Sequence, residues 1–281
     1  MCKVSVLIAV YNRAYLLRNC LLSLMKQSYQ PDELIINDDG SQEDIYAEIR
    51  QMCAGVKYKV RHVFQQDKGF RLAKCRNNGV KASSGDYLIF LDQDCVYTKN
   101  FIRTFVENRK ERQFCVAYPL RLDAQQSQKI SKNIIETFNF KSIITEEQLQ
   151  KVKKQYKKDK LYYYLKKLHL RTIGPKLRGG VTAVNRGDFI RVNGYDENYK
   201  GWGNEDDDLG HRLYKSGVIG KNLFHSEYPI HLHHDLFHDG ERVNDQYYRK
   251  KRPEIKKGQY RCEFGYDNPL DNDEPTIRDV N

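Results

Sequence analysis

An almost wholly apolar run, Val4 to Val10 (VSVLIAV), stops at Tyr11-Asn12-Arg13, and the same device recurs twice before residue 95. Glu33 to Asn37 stops at Asp38-Asp39-Gly40-Ser41, and Tyr87 to Leu91 stops at Asp92-Gln93-Asp94. Continuous apolar runs of this length suit strands buried on both faces of a parallel sheet. Between the first two, Leu17, Cys20, Leu21, Leu24 and Met25 repeat at helical spacing. Lys59 to Phe64 reads as a further strand, and Gly69 to Ala82 as a helix carrying Arg71, Lys74, Arg76 and Asn77. Strand and helix in alternation predict an α/β fold, with a mostly parallel, Rossmann-like central sheet flanked by helices.

In such sheets ligands bind beyond the carboxyl ends of the strands, so the polar clusters that end these runs can converge. Asp92 and Asp94 alternate along an extended segment and therefore share a face. Both can reach one divalent cation, or one cation and a sugar hydroxyl. Taken alone, the triplet also fits a solvated acidic turn.

The second half repeats the theme with different materials. Gly179-Gly180 leads into a strand at Val181 to Asn185, and a Gly-Trp-Gly turn at 201–203 leads into an acid-rich helix start, Glu205-Asp206-Asp207-Asp208. Acids in a first helical turn are favoured by the macrodipole, which is the plain reading of Asp207 and Asp208. After the next strand-like stretch comes His231-Leu232-His233-His234-Asp235.

Charge and cysteine content narrow the class. The net charge is +11, and Lys151 to Arg178 holds eleven Lys or Arg against the single acid Asp159. One basic surface is therefore expected rather than chain-wide affinity for polyanions, and no nucleic-acid partner is expected. Seven cysteines without a C-x-x-C pair read as reduced, mostly buried thiols. No apolar run approaches the roughly 20 residues needed to span a bilayer, and Met1-Cys2-Lys3 runs straight into a strand. A cytoplasmic protein is expected. The chain divides into a first half at 1–120, a basic helical insertion at 121–178, a second half of the same domain at 179–240, and a loosely held, apolar-poor tail at 241–281.

The motifs in order resemble those of family 2 glycosyltransferases with the GT-A fold: AVYNR at Ala9 to Arg13, NDDGS at Asn37 to Ser41, GFRLAKCRNNG at Gly69 to Gly79 and LDQD at Leu91 to Asp94. The second half resembles a galactosyltransferase-type C-terminal region through GWGNEDDDLGHRL at Gly201 to Leu213. The resemblance covers roughly Lys3 to Asp235 and leaves out the basic insertion and the tail. It implies a uridine diphosphate (UDP) sugar donor, with Tyr11, Asn12 and Arg13 lining the nucleotide pocket, Asp39 accepting from the uracil imide, and Phe70 and Arg71 against base or diphosphate. It further implies Asp92 at ribose or metal and Asp94 as direct ligand of Mn2+ or Mg2+. A histidine completes the metal site, His231 by distance from Glu205, with His234 the competitor and His233 on the opposite face. Asp206 is the expected general base with Glu205 beside it, and Trp202 the flat surface for an acceptor sugar.

Implied, then, is an inverting, metal-dependent transfer of a hexose or N-acetylhexosamine to a glycan or lipid-linked acceptor in surface polysaccharide synthesis. Gln93 departs from the commoner small or acidic middle residue. The basic insertion has no counterpart, and its interleaved Tyr162, Tyr163, Tyr164, Leu165 and Leu168 suggest a helix resting peripherally on an anionic membrane surface. Two other readings stay open: a haloacid dehalogenase-type phosphatase using Asp92 and Asp94, and a basic nucleic-acid-binding module.

Overall fold

The computed structural model describes residues 2–223, 226–235 and 242–281. The first half runs β1 (Val4–Val10), α1 (Ala14–Met25), β2 (Glu33–Asp38), α2 (Ile45–Cys53), β3 (Lys59–Phe64), α3 (Leu72–Ala82), β4 (Tyr87–Asp92), β5 (Cys95–Tyr97), α4 (Phe101–Glu107) and β6 (Gln113–Val116). Then come β7 (Leu120–Arg121), α5 (Ala124–Gln128), α6 (Lys132–Thr137), a 3-10 turn at Phe140–Ser142 and the long α7 (Glu146–Lys167). The chain closes with β8 (Val181–Asn185), α8 (Arg186–Arg191), α9 (Glu205–Lys215), β9 (Ile219–Asn222), β10 (Pro229–His231), α10 (Asp245–Lys257) and β11 (Thr276–Asp279).

Eight strands form one sheet in the order β11-β3-β2-β1-β4-β8-β6-β9. The run from β3 to β4 is parallel, and β8 and β11 oppose their neighbours. The central strands are apolar on both sides because both sheet faces are covered. One face packs Ile8, Ile36 and Ile89 against Leu17 and Leu21 of α1 and Ile49 of α2. The other packs Leu7, Ile35, Leu88 and Phe90 against Val80 of α3, Phe189 and Leu213.

A second, three-stranded sheet, β5-β10-β7, has no clear signal in the sequence because its strands are only two or three residues long. It is nevertheless what orients the histidines. β10 lies antiparallel to β5 with His231 opposite Cys95, and Leu232 N donates to Asp94 O at 2.8 Å.

In the insertion, α7 starts with a capping box between Thr145 and Gln148, has Glu146 and Glu147 in its first turn, and ends with Lys166 and Lys167. It packs against β9, where buried Asp159 accepts from Asn222 at 2.9 Å. Its opposite side leaves Leu161, Tyr164 and Leu168 at least half exposed. Among the described residues no helix is long and apolar enough to cross a membrane.

The expectation of a loosely held tail at 241–281 is corrected. α10 packs on α9, and β11 pairs with β3 from Thr276 opposite Phe64 to Asp279 opposite Arg61. The last residue also ties in, since Val60 N donates to Asn281 Oδ1 and Asn281 Nδ2 to Tyr58 O. Backbone pairing and ionic contacts hold this segment, and a count of apolar side chains is blind to both.

Candidate active site

Past the carboxyl ends of β1, β2 and β4 lies a cavity of about 820 Å³. Its walls include Tyr11, Arg13, Asp39, Phe70, Asp92, Asp94, Trp202, Glu205, Asp206, His231 and His234, so most of the expected residues are brought together. Asn12 and Arg71 are not among the residues on that wall. Asn12 Oδ1 accepts the backbone N–H groups of Gln42 and Glu43, which spends its side chain on shaping the loop after β2. Arg71 turns its guanidinium to Asp271 and Asp273, leaving only its backbone N–H to donate to Asp39 Oδ2 at 2.8 Å.

Asp39 is 5% exposed, and its other oxygen accepts from Gln65. Burial pushes its carboxyl up to about 7, even though the Arg71 amide and Gln65 pull the other way. Such a group can accept from a buried imide N–H at modest cost in proton release. Gln93, between the two acids of the triplet, points away from Asp94 and donates to Tyr11 O at 3.1 Å, joining the loops after β1 and β4.

Asp94 meets both imidazoles. His234 Nε2 lies 3.0 Å and His231 Nε2 3.4 Å from Asp94 Oδ2. One ligand atom from each of the three residues falls within 4.8 Å of the others. Both the expected His231 and its competitor His234 therefore face the same carboxylate. Burial pushes Asp94 up, but the hydrogen bonds to His231 and His234 outweigh it and hold the carboxyl well below its usual range. The bond to Asp94 in turn raises His234. One carboxylate and two imidazoles fit a divalent first-row cation by donor type.

Arg76 links the two halves of the cavity. Fully buried on α3, it donates from Nη1 to Asp206 Oδ1 at 3.0 Å and from Nη2 to Asp92 Oδ1 at 3.1 Å, and it lies over the Tyr195 ring. Tyr195 OH also donates to Asp206 Oδ1, at 3.0 Å. The second Asp206 oxygen faces Gly179, where a Cβ would come within 2.8 Å of it, so only glycine keeps that approach open. Beside it, Glu205 Oε2 is buried with no hydrogen-bond partner among the described residues. Burial and the neighbouring Asp206 push Glu205 up to about 8.

The remaining two acids are committed elsewhere. Asp207 lines the cavity but is held by Lys176 at 2.7 Å and by Tyr248, and Asp208 is buried against Arg212 at 2.6 Å. Trp202 stands at the rim between Gly201 and Gly203, both at positive φ, with the Arg242 guanidinium 5.6 Å from its ring centroid. Sequence reasoning gave no role to Arg76, Tyr195 or Gln65. Arg76 was reachable, since it falls four residues after Leu72 on α3 and both face the cavity. Tyr195 and Gln65 carry no local signal of where their polar ends point.

The arrangement sets the buried Asp39 carboxylate, the Asp94-His231-His234 group and the Asp206 carboxylate around one cavity. With Asp92 bound to Arg76 and Asp94 to two imidazoles, the phosphatase reading of that triplet is not favoured.

Residues 5–170 match the model of glycosyl transferase family 2, and residues 159–235 match that of the N-terminal domain of galactosyltransferase. The chain is 25% identical over 273 residues to validoxylamine A glucosyltransferase of Streptomyces hygroscopicus subsp. limoneus, covering 89% of this chain and 57% of that protein. It is 28% identical over 242 residues to chondroitin synthase of Escherichia coli, covering 80% of this chain and 35% of that protein. It thus spans only part of the length of these relatives. Among solved structures, S. aureus TarS in complex with UDP-GlcNAc gives a TM-score of 0.60 at 15% identity, covering 94% of this chain and 68% of that one. GalNAc-T7 with UDP, GalNAc and Mn2+ gives 0.58 at 18%, covering 92% and 50%. At these identities the likeness shows the fold, which is the GT-A arrangement.

Proposed function

We propose that this chain, which belongs to glycosyltransferase family 2, transfers a hexose or N-acetylhexosamine from a UDP-sugar to a glycan or lipid-linked acceptor, inverting the anomeric carbon. The observation that carries the proposal is the gathering of Asp39, the Asp94-His231-His234 group and Asp206 around one cavity. The ligands in similar structures, UDP-GlcNAc in TarS and UDP with Mn2+ in GalNAc-T7, support the donor class and a divalent cation. Chondroitin synthase among the relatives supports a place in polysaccharide assembly.

In this mechanism Asp39 accepts the uracil imide hydrogen and rejects bases that offer only an acceptor there. Tyr11, Arg13 and Phe70 line the nucleotide, and Asp92 serves ribose or the outer metal shell. Asp94, His231 and His234 would hold a divalent cation, which would supply neutralising charge for the departing diphosphate. Two imidazoles beside one carboxylate favour Mn2+ over Mg2+, which prefers oxygen ligands in an octahedron. Trp202 stacks on the acceptor sugar. Asp206, held in place by Arg76 and Tyr195, takes the proton of the acceptor hydroxyl as that oxygen bonds to the anomeric carbon and the carbon–oxygen bond to UDP breaks. Glu205, neutral near pH 7, donates to a sugar oxygen.

The outer side of α7 rests on anionic lipid in this reading. Leu161, Tyr164 and Leu168 form one exposed stripe between Lys157, Lys160 and Lys167. Flotation with phosphatidylglycerol vesicles checks it: a Leu161→Ser, Leu168→Ser variant that floats like the parent sinks the membrane role and leaves the enzymatic one intact.

The central test is a thermal-shift screen of nucleotide sugars with and without Mn2+. A UDP-sugar should stabilise the protein, more so with Mn2+, and the stabilising donor should then be consumed with a suitable glycan acceptor. No stabilisation by any UDP-sugar in either condition overturns the proposal.

A further inference from the structure

Residues beyond 235 lie outside both family-matched regions, yet the C-terminal segment reaches the nucleotide end of the cavity. Asp273 receives Lys68 Nζ at 2.6 Å and Arg71 Nη1 at 3.1 Å. Asp271 receives the same Arg71 nitrogen at 3.3 Å and also Lys74. The Arg71 and Lys74 side chains are only 5% and 3% exposed, and the two half-buried acids close over them from the solvent side. Arg71 further donates to Gln66 O. Burial lifts Asp271, but Lys74 outweighs it, and Lys68 with Arg71 hold Asp273 low, so both acids are anionic at neutral pH.

The segment bearing them is anchored on both flanks. On one side Leu270 N donates to Glu197 Oε2 at 2.9 Å, and on the other β11 pairs along β3. Without the two acids, Lys68, Arg71 and Lys74 would crowd three positive charges at the N-terminal end of α3, where the macrodipole is already positive. The loop they stabilise packs on the base niche. Asp67 lies against Gly40, where a Cβ would come within 2.4 Å of its backbone nitrogen, and Tyr11 OH donates to Asp67 at 3.1 Å. The Arg71 backbone amide holds Asp39 itself.

A pair of carboxylates on a cationic cluster could instead be a plug that competes with the donor diphosphate. The geometry argues otherwise, because Phe70, Leu72 and Arg76 line the cavity and Lys68, Arg71 and Lys74 are not among its lining residues.

We propose that Asp271 and Asp273 are positioning residues for nucleotide recognition, fixing Asp39 through Arg71. The inference rests on the reading of Asp39 as the carboxylate that reads the base. Deletion of the two charges loosens the amide that aims Asp39 and leaves Asp206 and the metal group in place.

The experiment uses the full chain, with Asp271→Asn, Asp273→Asn as the double variant. UDP and CDP affinities are measured by isothermal titration calorimetry, and donor KM and kcat by initial rates. The expected result is a UDP dissociation constant and a donor KM raised by about tenfold, kcat within about twofold, and a narrowed preference for UDP over CDP. Asp273→Asn alone, which leaves Asp271 on Arg71 and Lys74, should move the same quantities less and guards against misfolding of the double variant. Unchanged UDP affinity and base preference in a folded variant overturn the proposal. Tighter UDP binding also overturns it and makes the segment a plug. If the parent protein itself binds no uridine nucleotide, the donor reading falls first; if the parent binds UDP and the variants match it, only this inference falls.

Discussion

Arg76 Nη1 donates to Asp206 Oδ1 at 3.0 Å, across 130 residues of sequence. The contact ties Asp206 to a buried guanidinium, while burial and the neighbouring Asp206 drive Glu205 toward neutrality, and this separates the roles of two adjacent residues. Asp206→Asn keeps the shape and removes the proton acceptor. Its kcat should fall by about 10² to 10⁴, with UDP affinity within about twofold. Asp207→Asn, at an acid already held by Lys176, should lose less than about tenfold. Steady-state rates with parallel calorimetry read both, and transfer retained in Asp206→Asn removes it as base.

The two imidazoles at Asp94 predict a shared duty. His231→Ala and His234→Ala should each weaken Mn2+ binding by about tenfold or more, followed by electron paramagnetic resonance of the free ion. His233→Ala should change nothing, because its side chain is exposed and outside the group.

Asp39 gives a pH signature to base recognition. With its carboxyl raised to about 7, the free protein carries a proton there below that pH and must lose it to accept from the imide. Uridine, which lacks the diphosphate and leaves the metal out, should bind more weakly as pH falls below about 7, by up to about tenfold per unit. Asp39→Asn should bind weakly and without that slope. A parent profile that is flat from pH 5 to 8 contradicts the assignment.

Glu205 gives a pH signature to stability. Its folded value of about 8 lies above the ordinary 4.5, so the folded state holds a proton that the unfolded state has released between those values. Stability from this group therefore falls as pH rises through that window, by at most about 1.4 kcal/mol per unit, and levels off above it. Glu205→Gln removes the effect. Its melting temperature should match the parent near pH 5 and exceed it by pH 8, while transfer is reduced. An equal difference at both pH values argues against a buried, protonated Glu205.

The strand ends were legible because a doubly covered sheet demands apolar runs, and the residues that break those runs must lie at its rim. Val181 to Asn185 and Tyr87 to Leu91 are placed by that rule almost residue for residue. Asp39 and Asp94 reach the cavity wall from such breaks, and Asp206 from the acid-rich helix start after the Gly-Trp-Gly turn. What the sequence hid depends on contacts distant along the chain. The partners of Arg71 lie 200 and 202 residues away, and Asn12 accepts from a backbone N–H 30 residues on, so neither contact has a local signal. Three-residue β10 was too short for any periodicity to reveal, though it aims the histidines.

The pairing of β11 with β3 also bears on how the protein stays dispersed. Strand β3 would otherwise end the sheet with a row of open backbone donors and acceptors, a template for another chain. β11 covers that row and replaces it with a margin only four residues long carrying Arg278 and Asp279, while α7 lies along β9 at the far side. Cutting the chain before residue 276 would bare β3, and the shortened protein should self-associate through it even where its cavity is unharmed.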